Sequence, residues 1–117
     1  MNSVLIVDDD QDILDMVSLV LTTYDLNVAC INNGAALLPA IAENKPDLVL
    51  MDIYLGDADG RELCSALKTS SQYNNIPVIL YSAGHITTSS VKESMADDFL
   101  AKPFDNLQLI KKIRSLI

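Results

Sequence analysis

The chain has 117 residues, 16 of them Asp or Glu against 8 Lys or Arg, for a formal charge of −8, and half are apolar. That length predicts one domain with its own core, residues 1–117, and the acidity argues against nucleic acid or an anionic membrane as main partner, since both are bound by neutralising phosphate with Lys and Arg. No segment reaches the roughly 18 uninterrupted apolar residues of a membrane span, and no basic stretch leads into an apolar run at the start, so a cytoplasmic location is expected.

In chain order, a first apolar run, Val4 to Val7, stops at Asp8-Asp9-Asp10, and the spacing of Ile13, Val17, Val20, Leu21 and Tyr24 predicts a helix after it. Val28 to Ile31 and the turn Asn32-Asn33-Gly34 follow, then a stripe of Leu37, Leu38, Ile41 and Ala42. Beyond Lys45-Pro46-Asp47 comes Leu48 to Met51, closed by Asp52 and a loop from Gly56 to Gly60, and Leu63, Ala66 and Leu67 mark a third helix. Asn74-Asn75-Ile76-Pro77 leads into Val78 to Tyr81, which ends in Ser82-Ala83-Gly84. Thr87 to Met95 is rich in Thr and Ser, which favour caps and turns, so the fourth helix is expected to be short or mobile. A weaker run, Phe99 to Ala101, precedes Lys102-Pro103, and Leu107, Ile110, Ile113, Arg114 and Ile117 carry helical spacing to the end, with Lys111, Lys112 and Arg114 placed to complement the helix dipole.

The five runs lack polar alternation, which suits strands buried on both faces of a parallel sheet. Strand, helix, strand, helix in this rhythm is a (βα)5 α/β pattern, doubly wound. Cys30 and Cys64 are far apart, form no C-x-x-C pair and sit among apolar neighbours, so both are expected to be buried thiols in a reducing compartment.

The charge is uneven. Residues 1–59 hold 11 acids and one base, net −10, while residues 60–117 hold 5 acids and 7 bases, net +2. Thirteen of the acids are Asp, the residue of caps, turns and sites, and only three are Glu. In open parallel sheets ligands sit at the carboxyl ends of the strands. There the chain places Asp8, Asp9 and Asp10, then Asp52, then Ser82 and Ala83, then Lys102. If the first and third strands are neighbours, Asp8, Asp9 and Asp52 repel one another until a proton or a cation relieves them. An all-oxygen set suits Mg2+, whereas one His and two distant Cys offer zinc no site. Singly, each residue has a plainer reading: Asp10 as a helix cap, Ser82 as a strand end, Lys102 as a solvated tip. Proline directly after Lys102 implies a tight turn and makes Lys102-Pro103 a candidate cis peptide.

Four ordered motifs then coincide: Val4-Leu-Ile-Val-Asp-Asp-Asp10, Leu50-Met-Asp52-Ile with Asp59-Gly60 downstream, Ile76-Pro-Val-Ile-Leu-Tyr-Ser82-Ala83, and Asp97-Asp-Phe99-Leu-Ala-Lys102-Pro-Phe104. Over essentially its whole length the chain resembles a receiver domain of the two-component response regulators, the chemotaxis-regulator type. The resemblance implies a flavodoxin-like sheet of order 2-1-3-4-5 and transfer of a phosphoryl group from the phosphohistidine of a histidine kinase or phosphotransfer protein to Asp52. It implies Mg2+ held by Asp9, Asp52 and the backbone carbonyl of Tyr54, with Asp8 holding waters around it. Lys102, the Ser82 hydroxyl and the Ala83 N–H would take the phosphoryl oxygens. Such a protein is a signalling phosphoacceptor that promotes its own phosphorylation and dephosphorylation and is not otherwise an enzyme. Ser82 and Phe99 would form its switch, changing the face of helix 4, strand 5 and helix 5 for a downstream partner or output domain. A phosphorylation-dependent dimer is compatible with this. The chain is expected to carry no DNA-binding or enzymatic output domain of its own and to be a stand-alone receiver or one part of a longer regulator.

Some positions depart from the family pattern. Gly56 stands where proline is commonest, Phe99 where tyrosine is, and Met95 where a glycine often ends helix 4. Tyr54 and Gly84 occupy positions that line the path of attacking water, and bulky Tyr54 is expected to slow hydrolysis; His85 is given no role. Rival readings fit less well. A calcium loop fails because counting from Gly60 as its sixth position puts Leu55 first and Ala66 twelfth. Three aspartates after strand 1 would repel a flavodoxin's phosphate. A haloacid-dehalogenase-like phosphatase needs an acid where Tyr54 stands. The remaining alternative is a phosphorylation-independent protein-binding receiver.

Overall fold

The computed structural model describes residues 2–83 and 88–117. The elements alternate as β1 (Ser3–Val7), α1 (Gln11–Thr23), β2 (Asn27–Ile31), α2 (Leu37–Asn44), β3 (Leu48–Asp52), α3 (Gly60–Thr69), β4 (Val78–Ser82), α4 (Thr88–Ser94), β5 (Asp98–Ala101) and α5 (Asn106–Leu116). All strand pairs are parallel, in the order β2-β1-β3-β4-β5. The alternation is the (βα)5 pattern expected from the strand rhythm, and the flavodoxin-like strand order is the one the resemblance implied.

Burial follows the sheet order. The inner strands β1, β3 and β4 are buried at nearly every position, whereas edge strands β2 and β5 admit exposed residues. Successive side chains point to opposite faces, so Val4, Ile6, Leu50 and Ile79 meet α1 and α5 through Leu14, Val17, Leu21, Ile110 and Ile113. Leu5, Val7, Val49, Met51 and Leu80 meet α2 and α3 through Leu37, Ile41, Cys64 and Leu67. Each fully buried aliphatic side chain contributes about 1.5–3 kcal/mol by leaving water, so the two layers together supply the main drive for folding. Asp10, Asp59 and Asp105 cap α1, α3 and α5 by accepting the N–H groups of Asp12, Arg61 and Gln108. Three acids are thereby assigned to helix ends.

Four expectations are corrected. In α2 the sheet is met by Leu37, Ala40 and Ile41, while Leu38 is 54% exposed and Ala42 faces solvent. In α3 Cys64 joins Leu67 in the core and Ala66 lies outside. In α5 Leu109 is buried in place of Leu107, which is 59% exposed. The physical reason is common to all three: spacings of three and four fit two adjacent stripes on a helix, and only docking on the sheet selects one. The fourth correction is Cys30, which is exposed on edge strand β2 with its Sγ 3.1 Å from Ser18 Oγ. Cys64 is buried as expected, and burial pushes its thiol up to about 11.

Helix α4 is short, seven residues, and ends on Met95 with φ 64° and its N–H on the Lys92 carbonyl. A left-handed turn costs a residue with a Cβ about 1–2 kcal/mol, and glycine nothing steric. Met95→Gly is therefore expected to stabilise the fold by about 0.5–1 kcal/mol after the greater freedom of unfolded glycine is offset. Urea unfolding checks this, and an unchanged or lower midpoint would contradict it. Gly56 has φ 71°, a conformation closed to proline, which accounts for glycine at that point of the loop after Asp52.

Candidate functional site

Parallel pairing brings the ends of β1 and β3 side by side, with Val7 opposite Met51, so the residues that follow them share one edge of the sheet. Asp8 is fully buried, Asp52 nearly so, and Asp9 is exposed. One carboxylate oxygen from each lies within 4.8 Å of the other two. Asp10 stands apart from this group: its side chain caps α1, and its N–H donates to Asp8 Oδ1 at 2.9 Å.

The other strand ends complete the ring of groups. Ser82, buried at the end of β4, lies opposite Ala101, and its carbonyl accepts the Lys102 N–H at 2.9 Å. Ala83 follows at the exposed mouth. Lys102 precedes a cis bond to Pro103 and carries its Nζ 3.4 Å from Asp8 Oδ2 and 3.5 Å from Asp52 Oδ2. The Tyr54 N–H donates to Asp52 Oδ1 at 3.2 Å. Burial raises Asp52 above the ordinary carboxylate range; the Lys102 charge opposes this, the Asp8 charge adds to it, and the Tyr54 N–H opposes it again. Three carboxylates against one ammonium leave the cluster net negative. A hard divalent cation with oxygen ligands fits that donor set, Mg2+ included.

Asp57 and Asp59, on the loop after β3, take other partners. Asp57 accepts the Gly34 and Ala35 N–H groups at 2.9 and 3.1 Å, which ties the loop after β3 to the loop after β2 and holds its carboxyl below the usual range. Asp59 takes the guanidinium of Arg61, with Nη2 to Oδ2 2.7 Å, and that bond likewise lowers it. Phe99 is half-buried in the layer shared with α3. Gly84 and His85 lie outside the described residues.

Two contributors were missed. Tyr81 is fully buried, and its hydroxyl donates to Asp8 Oδ2 at 2.6 Å; burial and this bond push the phenol well above its ordinary range, so it remains a donor. The available signal was a polar-tipped aromatic ending an aliphatic run, Val78-Ile-Leu-Tyr81. The second is Gly60, where an added Cβ would fall inside van der Waals contact of the Asp52 carbonyl oxygen and 3.0 Å from the Ile53 Cα.

The sequence profile of the family described as response regulator receiver domain matches residues 4–114. "DNA-binding response regulator MtrA" of Mycobacterium tuberculosis is 34% identical over 114 residues, covering 96% of this chain and 49% of that protein. The chain thus spans about half the length of the curated relatives it matches. Among solved structures, chemotaxis response regulator CheY4 of Vibrio cholerae superposes with a TM-score of 0.90 at 26% identity, covering 100% of this chain and 99% of that one. The BeF3-activated N-terminal receiver domain of Klebsiella pneumoniae RstA does so with a TM-score of 0.89 at 28% identity, covering 98% and 97%. Among the described residues, no helix is long and apolar enough to cross a membrane.

Proposed function

This chain belongs to the response regulator receiver domain family, and from that premise we propose that residues 1–117 act as one phosphoacceptor unit, with Asp52 receiving a phosphoryl group from the phosphohistidine of a histidine kinase or phosphotransfer protein. The observation that carries the reading is the Asp52 carboxylate clustered with Asp8 and Asp9 while Lys102 reaches both buried acids. An Asp52 oxygen forms the new O–P bond as the P–N bond to the donor imidazole breaks, and the leaving nitrogen takes up a proton. Phosphoryl transfer of this kind depends on positioning and charge stabilisation, and the donor supplies the energy. Asp9, Asp52 and the Tyr54 carbonyl would hold Mg2+, with Asp8 holding waters around it, and the ion would supply charge neutralisation for the phosphoryl oxygens. Lys102 balances a further oxygen as a flexible point charge, and the Ser82 hydroxyl and Ala83 N–H take the remainder.

In this reading the output is conformational. Ser82 is drawn to the phosphoryl group and Phe99 turns into the space behind it, altering the face of α4, β5 and α5 for a downstream protein or output domain. With no phenolic hydroxyl on Phe99, that switch acts by packing alone.

The test is incubation with a small acyl phosphate and Mg2+, followed by intact mass and peptide mapping. One phosphoryl group on Asp52 is expected, and none when EDTA is present from the start of the incubation. A wild-type protein that takes none would reject the phosphoacceptor role and favour a receiver that binds partners without phosphorylation.

Tyr54, 51% exposed and with the Arg61 guanidinium 6.0 Å from its ring centroid, supports a shielding role against water. Tyr54→Ala is expected to shorten the phosphoryl lifetime about fivefold, equivalent to ~1 kcal/mol in the hydrolytic barrier. An unchanged decay rate of the purified adduct would remove Tyr54 from that role.

A further inference from the structure

Strand β4 needs only an apolar side chain at position 81 to fill the layer against α1 and α5, as Ile79 does two residues earlier. It carries a tyrosine, and that tyrosine touches two groups of the site. Its hydroxyl lies 2.6 Å from Asp8 Oδ2, and its ring centroid lies 4.7 Å from Lys102 Nζ. Phe104 packs edge-on against the same ring, centroids 6.0 Å apart at 79°.

Asp8 is consequently held from both ends. Oδ1 accepts the Asp10 N–H at the start of α1, and Oδ2 accepts the Tyr81 hydroxyl. A carboxylate gripped this way cannot rotate freely, and its remaining lone pairs keep one orientation. The hydroxyl also matters for what it is not. It satisfies Oδ2 without adding charge, so Lys102 is not drawn fully onto Asp8 and stays shared, 3.4 Å from Asp8 and 3.5 Å from Asp52. The ring face beneath the ammonium supports that midway position by cation–π attraction.

We propose that Tyr81 is a positioning residue of this site: its hydroxyl orients Asp8 for a divalent cation, and its ring holds Lys102 between Asp8 and Asp52. The inference rests on the phosphoacceptor reading above. Groups that orient metal-binding carboxylates typically carry about 10–100-fold in metal affinity.

The experiment compares wild type with Tyr81→Phe, which keeps the ring and removes only the hydroxyl. Calorimetric titration with Mg2+ is expected to give a Kd about 10-fold weaker in the variant, with secondary structure by circular dichroism unchanged. A Kd within about twofold of wild type would overturn the proposal. A second measurement needs no variant to fold well: the short hydroxyl-to-carboxylate bond should give a downfield hydroxyl proton resonance in wild type that shifts as Mg2+ is added. Absence of that resonance, or its indifference to saturating Mg2+, would also overturn it. Wild-type phosphorylation is followed in parallel. A wild type that takes no phosphoryl group defeats the phosphoacceptor reading, whereas a phosphorylated wild type with Tyr81→Phe binding Mg2+ equally well defeats the role of Tyr81 alone.

Discussion

Asp52→Asn is expected to abolish phosphoryl uptake and, in the absence of metal, to make the fold more stable. The two effects have one cause. An amide cannot supply the anionic oxygen that forms the O–P bond, so incubation with an acyl phosphate and Mg2+ should leave the variant's mass unchanged. The same charge is a liability in the metal-free protein: Asp52 is raised above the ordinary carboxylate range, chiefly by burial, with Asp8 adding to the shift. An acid raised on folding contributes stability below its unfolded pKa and loses that contribution as pH rises through the folded value. At neutral pH the ionised wild type has lost it, and asparagine, neutral and nearly isosteric, has nothing to lose. A gain on the order of 1 kcal/mol, or roughly 2–5 °C in midpoint, is expected in EDTA. The gap between the two proteins should narrow as pH falls through the raised folded value of Asp52 to the usual carboxylate range, and change no further below it. Added Mg2+ should raise the wild-type midpoint more than the variant's, because only ligand bound preferentially to the native state stabilises it. A lower midpoint for Asp52→Asn in EDTA would mean that attraction to Lys102 outweighs burial, and a phosphoryl adduct on the variant would move the nucleophile elsewhere.

Gly60→Ala carries the second large effect, although a methyl group at the start of a helix is ordinarily welcome. Gly60 opens α3 with its N–H 2.7 Å from the Ile53 carbonyl, and its Cα rests on the backbone that leaves β3. The added Cβ would strike the Asp52 carbonyl oxygen and come within 3.1 Å of the Asp52 carbonyl carbon. Neither atom belongs to a flexible side chain, so the strand end or the helix must shift. Overpacking usually costs ~1–3 kcal/mol, and a backbone obstacle places this site near the upper end, about 3 kcal/mol. The displaced segment carries Asp52, so phosphoryl uptake should fall together with stability. Urea unfolding and adduct formation measure both. A variant with wild-type midpoint and wild-type uptake would show that the close approach is not limiting.

How far this could be read in advance varies by residue. The apolar runs marked all five strands: burial on both faces leaves an unbroken pattern in β1, β3 and β4, and edge strands β2 and β5 are apolar enough to show although they admit exposed residues. The helices were visible, but which side faced the sheet was misread wherever two stripes competed, as at Leu38 against Ala40 or Leu107 against Leu109. Cys30 had apolar neighbours and still faces solvent, because β2 is an edge strand and edge position belongs to sheet order, not to local sequence.

The acids divide the same way. Composition and spacing determined that an excess of aspartate follows the strands, and therefore that this protein gathers negative charge at one edge of a parallel sheet. Only the tertiary structure decided what each acid does: Asp10, Asp59 and Asp105 on helix N-termini, Asp57 on the loop after β2, Asp97 and Asp98 paired with Lys68 and Lys112, and Asp8, Asp9 and Asp52 left to face one another. The physical reason lies in range. Burial and turn preference act between neighbours in the chain and leave periodic marks. The partners of a charge or hydroxyl, such as Tyr81 and Lys102 on Asp8, are brought together across strands far apart in sequence: strand-end position put Lys102 at the same edge, but which atom meets which is set only by the packed sheet.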